Sequence, residues 1–209
     1  MSADDYLKSE LDRPVKREYL GGQIYSRPEE CNRHNLIAGN VLGTLGAQLR
    51  GNPCRPFNSD TKVRIRLPYQ IRFYYSDTQV SCRPNPRDDS FQDEPAVLVE
   101  VLSRSTRRID EGEKKDAYLT IPSLAVYLLV EQDQPAVVAY RRTAQGFVRQ
   151  VYEGLDAVVP LSEFETDLPL AEIYDGVEFA LEPEDGQNEL ARKREVGQDA
   201  AGTEGHRDG

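Results

Sequence analysis

The sequence predicts an α/β fold, of the α+β kind, in which helices flank a mixed β-sheet. The apolar run at residues 96–102 is nearly continuous and rich in β-branched side chains, which is typical of a strand buried on both faces. The segment 32–49 carries apolar residues at helical spacing. Along the chain the predicted elements follow the order helix, strands, helix, strands, which favours one mixed sheet with helices packed on it.

The first quarter of the chain predicts two helices and a hairpin. Residues 4–11 are typical of a short helix. A glycine pair supplies the turn of a β-hairpin over residues 16–25. The helix at 32–49 is expected to end before the Gly-Asn-Pro sequence at 51–53, since glycine and proline stop helices.

The remaining elements follow from their periodicity. Residues 61–66 alternate strictly, so we expect a half-exposed strand there, then a weaker strand at 77–82 and a loop at 83–94. A helix is predicted at 108–121, shortly after the buried run. The C-terminal elements are predicted to be strands at 124–131, 136–142 and 146–152 and a short helix at 168–174.

We expect residues 1–181 to form a single domain, because 209 residues are enough for one sizeable core. Residues 182–209 have few apolar side chains and many charges, so we expect a disordered charged tail. No apolar run in the sequence is long enough to span a membrane. The acidic segment 1–6 is unlike a secretory signal, so the predicted compartment is the cytoplasm.

The composition limits the classes of partner. The net charge of −10 argues against a protein that coats nucleic acid through bulk charge. It leaves a nuclease open, since such an enzyme needs only a local basic surface. Cys31, Cys54 and Cys82 are scattered and form no pair with zinc-ligand spacing, so we expect three reduced thiols.

Glu100 is the most informative residue, because it lies in the middle of the buried run. A carboxylate in such a strand is costly to desolvate unless a cation, a metal or several donors meet it. On the helix that follows, Asp110, Lys114 and Tyr118 are four residues apart and share one face. A buried strand carboxylate followed by a helix that presents a lysine suggests a hydrolytic site built on a metal and a lysine.

Several motifs, in this order and spacing, resemble the Uma-two (Uma2) family of restriction-endonuclease-like proteins, a branch of the PD-(D/E)XK nuclease superfamily. The resemblance covers nearly all of residues 5–176. The motifs that carry it are Glu18-Tyr19-x-x-Gly22, His34-Asn35, Tyr75-Ser76-Asp77, Val99-Glu100-Val101-Leu102-Ser103-x-Ser105-Thr106 and Asp110-x-Gly112-Glu113-Lys114-x-x-x-Tyr118.

The resemblance implies a restriction-endonuclease-like core, a four-stranded mixed sheet with helices on both sides. It also implies a phosphodiesterase site that uses a divalent metal, Mg²⁺ or Mn²⁺. Asp77 and Glu100 would hold the metal, and both would act in catalysis. Lys114 would activate water or stabilise the phosphate, and Glu18 would join the catalytic site. The supporting residues would be Asp110, Tyr118 and His34.

The chain departs from the family pattern at two positions. Ser76 stands where the family usually has a proline, a residue that binds no metal. Leu102 stands where the superfamily motif has its lysine, so activity depends on Lys114 reaching the site from the helix.

The same residues can also be explained by structural roles that involve no catalysis. Asp110 and Lys114 also fit an ion pair on a solvated helix face. Glu100 also fits a structural pair with an arginine. His34 lies at a helix start, where a polar capping role is common.

A basic stretch interleaved with aromatic residues predicts a nucleic-acid surface. Two function classes follow, a metal-dependent DNA endonuclease and a catalytically silent nuclease fold that serves as a binding or interaction module. The expected partner is DNA, no membrane contact is expected, and a homodimer stays open. The residues of the basic stretch are Arg64, Arg66, Arg72, Arg83, Arg87, Arg104, Arg107 and Arg108, with Tyr69, Phe73, Tyr74 and Tyr75 between them.

Overall fold

The structure is a computed structural model that describes residues 1–11, 13–27 and 29–179. The chain divides into two units, Met1–Val177 and Glu178–Gly209. The helices of the first unit are α1 (Ala3–Glu10), α2 (Asn32–Gln48), α3 (Arg107–Asp110), α4 (Glu113–Tyr118) and α5 (Leu170–Ile173). Its strands are β1 (Arg17–Leu20), β2 (Gln23–Ser26), β3 (Arg55–Asn58), β4 (Lys62–Leu67), β5 (Gln70–Tyr75), β6 (Thr78–Ser81), β7 (Phe91–Gln92), β8 (Pro95–Val101), β9 (Val126–Val130), β10 (Ala136–Thr143), β11 (Gly146–Glu153), β12 (Val158–Leu161) and β13 (Thr166–Pro169).

The strands of the described residues form two larger sheets and a hairpin. A six-stranded sheet has the order β11-β10-β9-β8-β6-β3, with β8 and β9 parallel and the other neighbours antiparallel. A five-stranded sheet has the order β2-β1-β5-β4-β7 and is parallel only between β4 and β7. Strands β12 and β13 pair as the hairpin. The predicted class, mixed sheets with flanking helices, is confirmed, with six strands where the resemblance implied four.

Strand β8 lies in the interior of the six-stranded sheet, and all seven of its residues are buried. Strands β6 and β9 pair with its two edges, and helix α2 packs against it. Leu98 shares a core cluster with Tyr118 of α4 and Tyr127 of β9. Fully burying a large apolar side chain contributes ~1.5–3 kcal/mol, so this cluster fixes α4 against the strand that carries Glu100.

Helix α2 is amphipathic, with a narrow buried stripe. Ile37, Val41 and Leu45 are fully buried at a spacing of four, and His34 continues the stripe toward the N-terminus. Leu36 is 42% exposed, so the buried face is narrower than the sequence pattern indicates. The helix packs on α5 and β13 as well as β8. This packing brings the first turn of α2, and with it His34, to the sheet.

The middle of the chain differs from the predictions in two respects. The single helix predicted at 108–121 is wrong, because α3 and α4 are separate, with Gly112 between them at φ −112° and ψ −107°. The predicted loop at 83–94 contains β7, and two further strands, β3 and β5, were not predicted. Strands β3 and β7 are short and form through pairing with distant strands, so local periodicity does not reveal them.

The expectation of three reduced thiols is wrong, because Cys54 and Cys82 form a disulfide. Strands β3 and β6 are antiparallel with Arg55 opposite Ser81. Cys54, just before Arg55, therefore lies opposite Cys82, just after Ser81. The two cysteines are 28 residues apart in sequence, which hides the pairing from spacing rules. Cys31 is exposed and unbridged.

Two further expectations from the sequence concern the C-terminal tail and membrane-spanning segments. The predicted tail at 182–209 lies outside the described residues. In the part of the chain that the structure describes, no helix is long and apolar enough to cross a membrane.

Candidate active site

Asp77 and Glu100 meet where β6 begins and β8 nears its end. The N–H of Asp77 donates to the carbonyl of Val99 at 3.1 Å, which extends the pairing of the two strands. The carboxylate of Asp77 accepts the N–H of Val101 at 2.7 Å, so it is fixed beside Glu100. Both acidic side chains line one cavity of about 520 Å³.

Lys114 reaches this cavity from α4. Its Nζ lies 2.9 Å from Glu100 Oε1 and 3.5 Å from both Glu18 Oε1 and Asp110 Oδ1. It also donates a hydrogen bond to the carbonyl of Tyr75 at 2.8 Å. The lysine is 4% exposed, so these four acceptors surround a buried ammonium. It is therefore no ion pair on a solvated helix face.

The charges of this cluster shift its pKa values. Burial by itself would lower the pKa of Lys114, but Glu100, Glu18 and Asp110 together raise it above its ordinary value. Burial raises the pKa of Glu100 well above its usual range, and Asp110 and Asp77 add to this while Lys114 opposes it. One ammonium is thus shared among several carboxylates, and it does not offset the effect of burial on Glu100.

Asp77 has a different set of partners. Its Oδ1 is hydrogen-bonded to the guanidinium of Arg27, and its Oδ2 lies 3.1 Å from Nε2 of His34. Burial would raise the pKa of Asp77, but His34, Arg27 and the N–H of Val101 lower it to about 2. His34 is 2% exposed and serves as a partner of Asp77, while Cys31 occupies the capping position of α2.

Glu18 and Tyr118 complete the inner part of the site. Glu18 lies on β1 and accepts the N–H of Tyr75 at 3.1 Å, which directs its carboxylate to Lys114. Tyr118 is fully buried and donates its hydroxyl to Glu100 Oε1 at 3.0 Å. The spacing on the helix predicted Tyr118 beside Lys114; the ring centre of Tyr118 lies 5.9 Å from Lys114 Nζ, while its hydroxyl holds Glu100.

The family of the chain follows from comparison with known proteins. The Uma2 family model, described as "Putative restriction endonuclease", matches residues 3–171. The chain belongs to the Uma2 family. This confirms the resemblance in the motifs, and it supports a nuclease function in general.

Two curated relatives of this Uma2 protein come from Synechocystis sp. (strain ATCC 27184 / PCC 6803 / Kazusa). The uncharacterized protein slr1290 is 32% identical over 147 residues, which are 70% of this chain and 76% of that protein. The uncharacterized protein sll1609 is 28% identical over 135 residues, 63% of this chain and 75% of that protein.

A solved structure shares the fold of this Uma2 protein. It is the crystal structure of a putative nuclease belonging to DUF820 from Anabaena variabilis ATCC 29413. The TM-score is 0.65 at 17% identity, and the match covers 82% of this chain and 98% of that chain. At this identity the likeness supports the fold alone.

The donor set of the Uma2 site fits a hard divalent cation in its chemistry. Among the described residues that line the cavity, six carry carboxylates and four are Arg or Lys, which leaves a formal excess of two negative charges. Carboxylate oxygens are the ligands that Mg²⁺ and Mn²⁺ prefer. As the side chains stand, no group of three or more His, Cys, Asp or Glu within residues 1–11, 13–27 and 29–179 is arranged around a metal position.

The structure brings every sequence-predicted site residue into this cluster, and it adds two that were not predicted. Arg27 contacts Asp77 from the segment after β2, and no local pattern indicates it. Glu30 Oε2 lies 4.0 Å from His34 Nε2, and its i,i+4 spacing to His34 was the signal available in the sequence. The predicted site residues are Glu18, His34, Asp77, Glu100, Asp110, Lys114 and Tyr118.

The predicted nucleic-acid surface is wrong in its aromatic part. Phe73, Tyr74 and Tyr75 are at most 4% exposed and belong to the core, so no base can stack on them. Tyr69 is fully exposed. Of the eight arginines in the basic stretch, Arg72 and Arg108 line the cavity and the other six do not.

Proposed function

We propose that this protein is a metal-dependent nuclease that hydrolyses phosphodiester bonds in DNA. The observation that carries the proposal is that Asp77 just before β6, Glu100 of β8 and Lys114 of α4 all line one cavity. Buried charge is costly to desolvate, so several buried carboxylates around one lysine in a cavity are typical of a functional site. The membership of the Uma2 family supports the same reaction class.

Asp77 and Glu100 are the residues that would hold Mg²⁺ or Mn²⁺, with Glu18 and Asp110 close by. A bound divalent ion supplies Lewis acidity toward the phosphate and lowers the pKa of water. The burial of Glu100 supports this role, because a desolvated carboxylate with a raised pKa is stabilised by added positive charge.

Lys114 acts in this proposal as a fixed positive charge. Deprotonation of water by Lys114 would require a lowered pKa, and its carboxylate neighbours raise the pKa instead. A buried ammonium can stabilise the negative charge that develops on phosphate oxygens during hydrolysis. Its contact with Glu100 also orients that carboxylate.

DNA reaches the site, in this proposal, along the basic side chains at the cavity wall. Arg108 is exposed, and Arg72 is hydrogen-bonded to Glu113 and Tyr74 at 3.0 Å each. Arginine suits phosphate because its planar guanidinium donates two parallel hydrogen bonds. A local surface of this kind is compatible with the net charge of −10.

The test is cleavage of supercoiled plasmid DNA by the purified protein in Mn²⁺ or Mg²⁺. We expect nicked and linear products that EDTA prevents. The variant Glu100→Gln keeps the size of the side chain but removes its charge, so it should be inactive while remaining folded. Cleavage that persists in EDTA or in Glu100→Gln would refute the proposal.

A second candidate is a catalytically silent nuclease fold that binds a partner. The observation that favours it is the saturation of Asp77, which already contacts Arg27, His34 and the N–H of Val101. A site that has exchanged its metal for internal cations would be stable and inactive. Absence of Mn²⁺ binding together with intact DNA binding would favour this candidate.

A further inference from the structure

The carboxylate of Asp77 has three donors in this structure. Arg27 binds Oδ1, while the N–H of Val101 at 2.7 Å and Nε2 of His34 at 3.1 Å share Oδ2. A divalent ion that binds Asp77 through Oδ1 therefore competes directly with the guanidinium of Arg27.

Of these three donors, Arg27 is the one least fixed by the fold. The N–H of Val101 belongs to the backbone of an interior strand. His34 is 2% exposed and lies in the buried stripe of α2. Arg27 follows β2 outside any helix or strand, and its side chain is 12% exposed.

The surroundings of Arg27 provide space for such a movement. Arg27 lines the cavity of about 520 Å³ and also a second cavity of about 240 Å³ that contains Lys16 and Ser59 in its wall. Its long side chain therefore borders open space on two sides. Glu100 and Glu18 also attract its positive charge toward the main cavity.

We propose that Arg27 is a displaceable counter-ion of the metal site, which neutralises Asp77 while the ion is absent and binds a DNA phosphate once the ion is present. The inference rests on the proposed function. With a divalent ion held at Asp77, the guanidinium would be repelled from this carboxylate, and a phosphate in the cavity would offer it a new anionic partner. Metal binding and DNA binding are then coupled, and each strengthens the other by the same factor.

The first measurement is isothermal titration of Mn²⁺ into the purified protein and its variants. Arg27→Gln removes the competing charge, so it should bind Mn²⁺ about tenfold more tightly than the wild type. Arg27→Lys keeps the charge and should bind with nearly the wild-type affinity. Arg33→Gln is the matched control, because Arg33 pairs with Asp133 at 3.2 Å on the surface, and its affinity should not change.

The second measurement is the affinity for a phosphorothioate-substituted duplex oligonucleotide, which resists hydrolysis, with and without Mn²⁺. Mn²⁺ should strengthen DNA binding by the wild type several-fold more than it strengthens DNA binding by Arg27→Gln. Circular dichroism and thermal melting establish that each variant is folded. If Arg27→Gln does not fold, Arg27→Met provides a second neutral variant with a longer apolar stem for the same comparison.

The outcomes separate this inference from the proposed function. A wild-type protein that binds no Mn²⁺, or binds it equally after Asp77→Asn, contradicts the proposed function itself. Mn²⁺ binding that depends on Asp77 but is unchanged or weaker in Arg27→Gln overturns the role of Arg27 and leaves the proposed nuclease standing. If Arg27→Gln binds Mn²⁺ more tightly than the wild type, and if Mn²⁺ no longer strengthens its DNA binding, the result supports both the proposed function and the role of Arg27.

Discussion

At the scale of the residue, Lys114 differs from a lysine in a surface ion pair. A surface pair contributes ~0–1 kcal/mol because water already solvates both charges. Lys114 is buried with Glu100 at 2.9 Å and with Glu18 and Asp110 at 3.5 Å, so each charge depends on the others. Removal of the lysine leaves several carboxylates without their shared cation.

We predict opposite results for the two adjacent lysines of α4. Lys114→Ala should lower the free energy of unfolding by ~3–5 kcal/mol, as expected when a buried ion pair loses one partner. It should also reduce plasmid cleavage by about two or more orders of magnitude, the range for a lost charge stabiliser. Urea denaturation and a nicking assay measure the two effects.

The control for this prediction is Lys115→Ala. Lys115 contacts Asp116 at 3.7 Å and the ring of Tyr140 at 5.5 Å, away from the cavity. We expect it to retain cleavage and to lose little stability. An inactive Lys115→Ala beside an active Lys114→Ala would mean that the site is assigned to the wrong face of α4.

We also predict that two buried tyrosine hydroxyls differ in function. Tyr118 donates to the carboxylate of Glu100 at 3.0 Å, and Tyr127 donates to the carbonyl of Asp110 at the same distance. Tyr118→Phe and Tyr127→Phe should each cost ~1–3 kcal/mol of stability, because both leave a buried acceptor with one donor fewer. Only Tyr118→Phe should also weaken Mn²⁺ binding, measured by titration. Equal Mn²⁺ affinities in the two variants would remove Tyr118 from the site.

At the scale of the element, the break between α3 and α4 sets the position of Lys114. Gly112 separates the helices, and a Cβ at this position would lie 2.7 Å from the carbonyl oxygen of Arg108. The contact is with backbone, which cannot move aside as a flexible side chain does. Any side chain at position 112 therefore shifts one helix relative to the other.

We predict that Gly112→Ala destabilises the protein by ~1–3 kcal/mol, in the range of overpacking, and lowers cleavage by displacing Lys114. The matched control is Gly39→Ala in α2, where an added Cβ meets nothing within 4 Å. Alanine exceeds glycine in helix propensity by ~1 kcal/mol, so Gly39→Ala should be neutral or stabilising. Thermal melts of both variants test the signs. A stabilising Gly112→Ala would contradict the described break.

The sequence indicates some of these elements and not others, for physical reasons. The strand around Glu100 is evident because burial on both faces requires a continuous apolar run. The face shared by Asp110, Lys114 and Tyr118 survives the break at Gly112, so the spacing argument still groups them. The break lies at Gly112, and a single glycine inside a helical pattern does not by itself predict that the helix ends there.

At the scale of the whole molecule, contacts between distant segments complete the site. Arg27 and Asp77 are 50 residues apart, and they meet because the hairpin β1–β2 joins the five-stranded sheet beside the start of β6. The disulfide between Cys54 and Cys82 arises in the same way from strand pairing. Neither contact has a local signature, which is why sequence reasoning missed both.

A prediction for the whole chain concerns residues 182–209. Their composition offers few apolar side chains to offset the entropy of ordering. We therefore expect a protein truncated before Glu182 to keep the Tm and the cleavage rate of the full chain. Differential scanning calorimetry of the two proteins decides this, and a Tm several degrees lower after truncation would show that the tail packs on the domain.

The proposed function depends on Asp77 and Glu100 forming one divalent-metal site. Anomalous diffraction from crystals soaked in Mn²⁺ tests it most directly, because the manganese signal locates the ion independently of activity. We predict one strong peak bonded to oxygens of both carboxylates, with the guanidinium of Arg27 moved away from Asp77. A map with no peak in this cavity, and with Arg27 still on Asp77 at saturating Mn²⁺, would contradict the account.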